Sequence, residues 1–280
     1  KSTMPDDLKN RCHQCRKPTP TTDKEVVKRV REWVGKGEAW AQSMVAQWYR
    51  DGGYGVKQSY VMAAMLLEKA VVQGDPAAMY NLALLYEDGR GVVQSDEKAV
   101  ELYTMAAEEE HVGAMYNLAL LYWSGKGSVQ SFQKAAELYT MAAERGHAKA
   151  MFDLANVYRD GQGVLQSFKK AAEFYTMAAE QGHVSAMSNL ACMHRDGEGV
   201  VQSFKKAAEL FTMAAEKGVV EAMLSLGTLY YQGQGVDRSN ELAREWWTKA
   251  ANEGDEGAVK NLKILDKQES TTAAAKSSTT

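Results

Sequence analysis

The stretch KAAELYTMAAERGH at 134–147 returns as KAAEFYTMAAEQGH at 170–183, 36 residues later. A catalytic site is normally written once in a chain, whereas a packing solution can be written in every layer. Aligned with itself, the sequence keeps this period almost throughout. Ala78, Ala114, Ala150, Ala186, Ala222 and Ala258 are 36 residues apart, and Leu82, Leu118, Leu154, Leu190, Leu226 and Leu262 follow each by four. Tyr86, Tyr122, Tyr158 and Tyr230 come four further on, with His194 in the remaining copy. A glycine pair then recurs, from Gly89/Gly91 to Gly233/Gly235. An earlier copy, 41–49, stands 37 residues ahead of the second. Its extra residue falls in DGGYGV, a loop that tolerates it at little cost.

Each copy reads as two helices. In the first, AMYNLALLYED puts Ala78, Met79, Leu82, Leu85 and Tyr86 on one side. Gly89 stops it, because glycine adopts the left-handed closing conformation most cheaply. Ser95 is a good N-cap for the second helix, as are Ser59, Ser131, Ser167, Ser203 and Ser239. Ala99, Leu102, Tyr103, Ala106 and Ala107 form its buried stripe, and Glu101, Thr104 and Glu108 face water. Glycine ends this helix at 146, 182, 218 and 254; Glu110 stands there in one copy, which predicts a strained turn. Small residues let helices approach and large ones fill the space between. No single copy can bury its apolar face alone, so the copies must stack.

The rest of the composition narrows the function. With 33 basic and 36 acidic residues the net charge is −3, so neither a basic stripe for nucleic acid nor an acidic tail is present. No apolar run approaches a membrane span, and the leader has no apolar core of a signal peptide. Three cysteines cannot build a disulfide framework. These features predict a cytoplasmic or nuclear chain that is not secreted and does not bind membranes.

The pattern A-x-x-x-L-A/G-x-x-Y-x-x-G-x-G-V, then K-A-x-x-x-x-x-x-A-A-x-x-G, resembles the Sel-one-like (Sel1-like) repeat family, SLR. Ser128, His194 and Glu110 depart from it. The resemblance implies an all-α fold: a right-handed α/α superhelical solenoid of about six 36-residue helix-turn-helix repeats with capping helices, related to tetratricopeptide repeats. Expected boundaries are a capping helix at 23–38, repeats at 39–75, 76–111, 112–147, 148–183, 184–219 and 220–255, and a capping helix at 256–267. Residues 268–280 are Ser/Thr/Ala-rich and are expected to be disordered. The family resemblance implies a non-catalytic scaffold or adaptor that binds proteins, with no cofactor.

Upstream, RCHQCRKPTP resembles the last ligand pair of a RING-type zinc finger. Zinc needs four ligands, and Cys12 and Cys15 form an incomplete half-site, so zinc is expected only in a longer chain. This resemblance implies an alternative function, the substrate-recognition part of a RING-type ubiquitin ligase whose finger is truncated within residues 1–22. An accidental CxxC in an irregular leader is the competing reading.

Other constellations carry no chemistry. The DGRGV-type loops lack a P-loop lysine and a calcium loop's alternating carboxylates. His111, His147 and His183 recur one repeat apart, too far to share an ion, and are expected to pack over a helix terminus. No nucleophile–base pair stands out.

Binding is expected on the first-helix face not used for packing. One row is Asn81, Asn117, Asp153 and Asn189, whose amides could hold a peptide backbone or bond within their own layer. A second row contains Trp123, Arg159, Arg195 and Tyr231, residue types common at interface hot spots. Trp123 and Tyr231 would anchor a partner, and the arginines would favour an acidic stretch. Tyr80, Leu84, Leu120 and Phe152 add surface that a solvated face would not need. The expected partner is a peptide segment or helix of another protein; oligomeric state is not legible.

Overall fold

A computed structural model describes residues 23–277, with side chains from 25 to 271. Cys12 and Cys15, and with them the zinc half-site, lie outside the described residues. Among the described residues there are only helices and no strand. They fall into two compact units. The first ends at Ser131 and holds α1 (Asp23–Gly35), α2 (Ala39–Asp51), α3 (Tyr60–Val71), α4 (Pro76–Asp88), α5 (Asp96–Glu108) and α6 (Val112–Ser124). The second begins at Phe132 and holds α7 (Phe132–Glu144), α8 (Ala148–Asp160), α9 (Phe168–Glu180), α10 (Val184–Asp196), α11 (Phe204–Glu216), α12 (Val220–Gln232), α13 (Asn240–Asn252) and α14 (Glu256–Ser277). From α2 to α13, even-numbered helices are the first helices of the repeats and odd-numbered ones the second. Within each unit every helix packs on its successor.

The packing follows the pattern of small and large residues. Ala78, Ala114, Ala150, Ala186 and Ala222 are wholly buried, as are Ala99, Ala135, Ala171 and Ala207 on the second helices. Tyr103, Tyr175 and Phe211 fill the space between them with no exposed surface. At the start of the first unit Val26, Val30, Val45 and Trp48 form a local core, sealed by Trp33 against Trp40 at 6.1 Å.

Punctuation is equally regular. The hydroxyls of Ser59, Ser95, Ser167, Ser203 and Ser239 accept a backbone N–H from the first turn of the helix that follows. Gly89 closes α4 at φ +66°, and Glu110 adopts φ +61°, the strained turn the sequence predicts. The second loop glycine has a different task. A Cβ on Gly127 would lie 2.3 Å from the backbone carbon of Asp96, and one on Gly199 equally close to that of Phe168. The loop therefore seats directly on the backbone at the start of the preceding second helix, an approach only glycine permits.

α12 begins without a side-chain cap. Val219 has φ −74° and ψ 111°, the backbone of Asp75 (φ −73°, ψ 110°), whose carboxylate accepts the N–H groups of Ala77 and Ala78. Val219→Asp should therefore stabilise the protein by about 1 kcal/mol, seen as a higher urea midpoint with an unchanged slope.

The last helix differs from expectation. It continues to Ser277, ten residues beyond the expected end at 267 and into the segment expected to be disordered. Arg244 forks to Asp266 and Glu269, and the Tyr231 hydroxyl donates to Gln268 at 2.7 Å, so α13 and α12 hold the first turns of this extension. The alanines at 273–275 are strong helix formers and carry it further.

Candidate functional site

The asparagine row sits where the periodicity places it, half-buried, but most of its amides already have work. Asn117 donates to the Tyr103 hydroxyl at 3.0 Å, and Asn189 to that of Tyr175 at 3.1 Å. These tyrosines come from the second helix of the preceding repeat. Tyr103 in turn donates to Glu87 at 2.9 Å, and Tyr175 to Asn156. Each buried phenol thus bridges two first helices, and burial is the largest cause raising both hydroxyls above the usual tyrosine value. Asn81 donates to the Ala77 carbonyl at 2.8 Å and accepts from Arg50 at 3.0 Å. Asp153, half-buried, contributes to the field at Tyr175.

The second row is also structured. Arg159 and Arg195 each fork onto the next residue, Asp160 or Asp196, at 2.8 Å from Nε. Arg159 places its Nη1 on the Tyr175 hydroxyl at 3.1 Å. The Nη1 of Arg195 has no hydrogen-bond partner among the described residues. Tyr231 lies against Trp247 at 5.5 Å and under Arg238. Tyr80 stacks on His111 and Phe152 on His183, both at 4.5 Å. In the first unit Leu84 and Trp123 are half-buried and Leu120 is 39% exposed, on the face that carries Asn117.

Three features escape sequence reasoning. The histidines are N-caps: the Nδ1 atoms of His111, His147 and His183 accept the N–H of Ala114, Ala150 and Ala186. A row of glutamines, Gln58, Gln94, Gln130, Gln166 and Gln202, donates to the carbonyl near the end of each first helix. The most exposed large apolar residues are not on the helices at all. Val93, Val129, Leu165 and Val201, one repeat apart on the loops, are 88–91% exposed. That row was visible as V/L-Q-S in four successive copies.

No cluster of potential metal ligands occurs among the described residues. Burial pushes the Cys192 thiol up, away from thiolate chemistry. No helix among the described residues is long and apolar enough to cross a membrane.

Hairpins that repeat one packing and one capping scheme define an all-α repeat solenoid. Six consecutive stretches, 41–75, 76–111, 112–147, 148–183, 184–219 and 220–255, match the Sel1 repeat, and the chain belongs to the Sel1 repeat family. Among solved structures it is similar to a protective antigen of uropathogenic Escherichia coli displaying an SLR fold, with TM-score 0.76 and 26% identity. That similarity covers 89% of this chain and 61% of the antigen, so the chain spans about three fifths of its length. A Sel1 repeat protein from Oxalobacter formigenes is 30% identical, with TM-score 0.65, over 76% of this chain and 85% of that one. No curated protein sequence matches the chain.

Proposed function

We propose that this chain is a non-catalytic scaffold whose first-helix faces receive a peptide segment or helix of a partner protein. Sel1 repeat proteins are in general protein-interaction scaffolds, and fold alone does not choose the partner. The observation that carries the reading is Leu120: a 39% exposed leucine, between Asn117 and Trp123 on a face that a solvated helix would fill with charge. In the second unit the corresponding face carries Phe152, Asp153, Arg159, Asn189, Arg195 and Tyr231.

The test is site-specific photo-crosslinking from positions 120 and 192 on first helices, 137 and 173 on second helices, and 129 and 165 on the loops. Captured proteins are identified by mass spectrometry. A single partner crosslinked from the first-helix positions, and weakened at least tenfold (about 1.4 kcal/mol) by Trp123→Ala or Arg159→Ala, is expected. Capture from loop positions 129 and 165 with the first-helix positions silent would overturn the assignment.

A further inference from the structure

One layer of the second unit breaks the pattern in three places at once. The second-helix tyrosine of Tyr103, Tyr139 and Tyr175 becomes Phe211. The asparagine of Asn117 and Asn189 becomes Ser225, and the aspartate of Asp160 and Asp196 becomes Gln232. In the preceding layer the Tyr175 hydroxyl gathers Arg159 Nη1 and the Asn189 amide. Phe211, wholly buried in the equivalent place, offers no oxygen to the equivalent Arg195 and Ser225. One layer later, Trp247 directs its Nε1 to the Leu224 carbonyl at 3.1 Å, and Asn261 likewise lacks a phenol.

A cleft of about 410 Å³ opens where these bonds are missing. It lies over α12, with Arg195 of α10 on one side and Lys260 and Asn261 of α14 on the other. Arg195 Nη1, the Ser225 hydroxyl, the Gln232 amide, Lys260 Nζ and the Asn261 amide are hydrogen-bonding groups without a partner among the described residues. No carboxylate lines the cleft. Its volume falls within the range of small-ligand sites. Asp196 already offsets most of the Arg195 charge, and Glu198 stands nearby. One cation is thus left uncompensated, which suits a singly charged acceptor with two oxygens rather than a dianionic phosphate.

We infer that this cleft is the subsite for a carboxylate presented by a bound peptide, either an Asp or Glu side chain or the peptide's C-terminus. The inference rests on the scaffold reading above and gives it a chemical specificity. Lys260 supplies the uncompensated charge and Arg195 Nη1 an idle donor, with neutral donors from Ser225 and Asn261, which face no phenol, and from Gln232.

The test is a 15N NMR titration of the full chain with three acetylated probes. These are Ac-Gly-Ser-Gly-Glu-Gly-Ser-NH2, its Gln analogue, and the Gln analogue with a free C-terminal carboxylate. At least one acidic probe should give saturable shifts at Ser225, Gln232 and Asn261 with a millimolar Kd, and the neutral one should give none. Which acidic probe responds separates side chain from terminus. Arg195→Gln with Lys260→Gln should weaken binding at least tenfold. Phe211→Tyr with Ser225→Asn should rebuild the closed layer and abolish binding while melting no earlier than wild type. Equal shifts with all three probes, no saturable shift up to about 10 mM, or full binding by a folded Phe211→Tyr/Ser225→Asn variant would overturn the subsite. A protein partner retained at positions 120 and 192 under any of those outcomes would leave the scaffold reading standing.

Discussion

Gly227→Ala is expected to destabilise the protein by about 1–3 kcal/mol, although alanine occupies the equivalent position as Ala83, Ala119, Ala155 and Ala191. Glycine inside a helix ordinarily costs about 1 kcal/mol relative to alanine, so propensity alone predicts the opposite sign. Packing decides. A Cβ on Gly227 would meet Cδ1 of Trp247 at 2.6 Å and Nε1 at 2.7 Å. That indole is 3% exposed, and its N–H is held by the Leu224 carbonyl, so the ring has little room to retreat. The larger second-helix residue and the smaller first-helix residue are one exchange made together. Thermal melts of Gly227→Ala alone and with Trp247→Tyr test this. The double variant should recover most of the loss, because Tyr175 and Ala155 hold the equivalent positions of another layer and both are wholly buried there. A single variant as stable as wild type would refute the account.

Lowering the pH from about 7.5 to about 5 should lower the melting temperature through three histidines acting alike. Each caps a helix with the lone pair of Nδ1, at 3.1 Å for His111 and His147 and 3.3 Å for His183. A protonated imidazole has no such lone pair. Burial is the largest cause holding all three below the usual histidine value, Lys149 adds to it at His147 and His183, and Asp75 opposes it at His111. Because the folded values are depressed, the unfolded chain takes up protons first. The stabilisation is therefore complete above about pH 6.5, is lost as pH falls through that value, and levels off once the native histidines also protonate. The chain contains its own control. Asp75 and Asp255 hold the same capping position in α4 and α14 with carboxylates. Replacing all three histidines by aspartate should keep the caps and flatten the melting temperature between about pH 7 and pH 5. A triple variant with the wild-type pH dependence would exclude the capping histidines as its source.

The hairpins were legible because their determinants are local and repeated: alanine and leucine at helical spacing, glycine after each first helix, serine before each second. Glu110 could be predicted as strained because its neighbours in the register are glycines. The histidine caps were missed although His111 aligns with Asp75, because imidazole is an uncommon cap and its role depends on tautomer. The Tyr103–Asn117 and Tyr175–Asn189 bridges were not legible. They join different helices, and nothing within either helix marks the pair. The cleft over α12 was harder still, because it arises from groups that Phe211, Ser225 and Gln232 no longer supply. Asn117 and Asn189 satisfied the periodicity of a binding row, yet that periodicity also serves a bond between layers.

The seating of each second loop glycine on a neighbouring backbone bears on how such chains change length. Gly91, Gly127, Gly163, Gly199 and Gly235 all make this contact, so the spacing from one layer to the next is handed on by main chain rather than by side chains that drift. Lengthening one of these loops by a residue would unseat its glycine and every register set after it. The loop that does carry an additional residue holds Gly55, and among the described residues nothing lies within 4 Å of where its Cβ would stand. Growth or loss in such a molecule is therefore quantised, with whole hairpins gained or deleted while the joints between them admit no half measures.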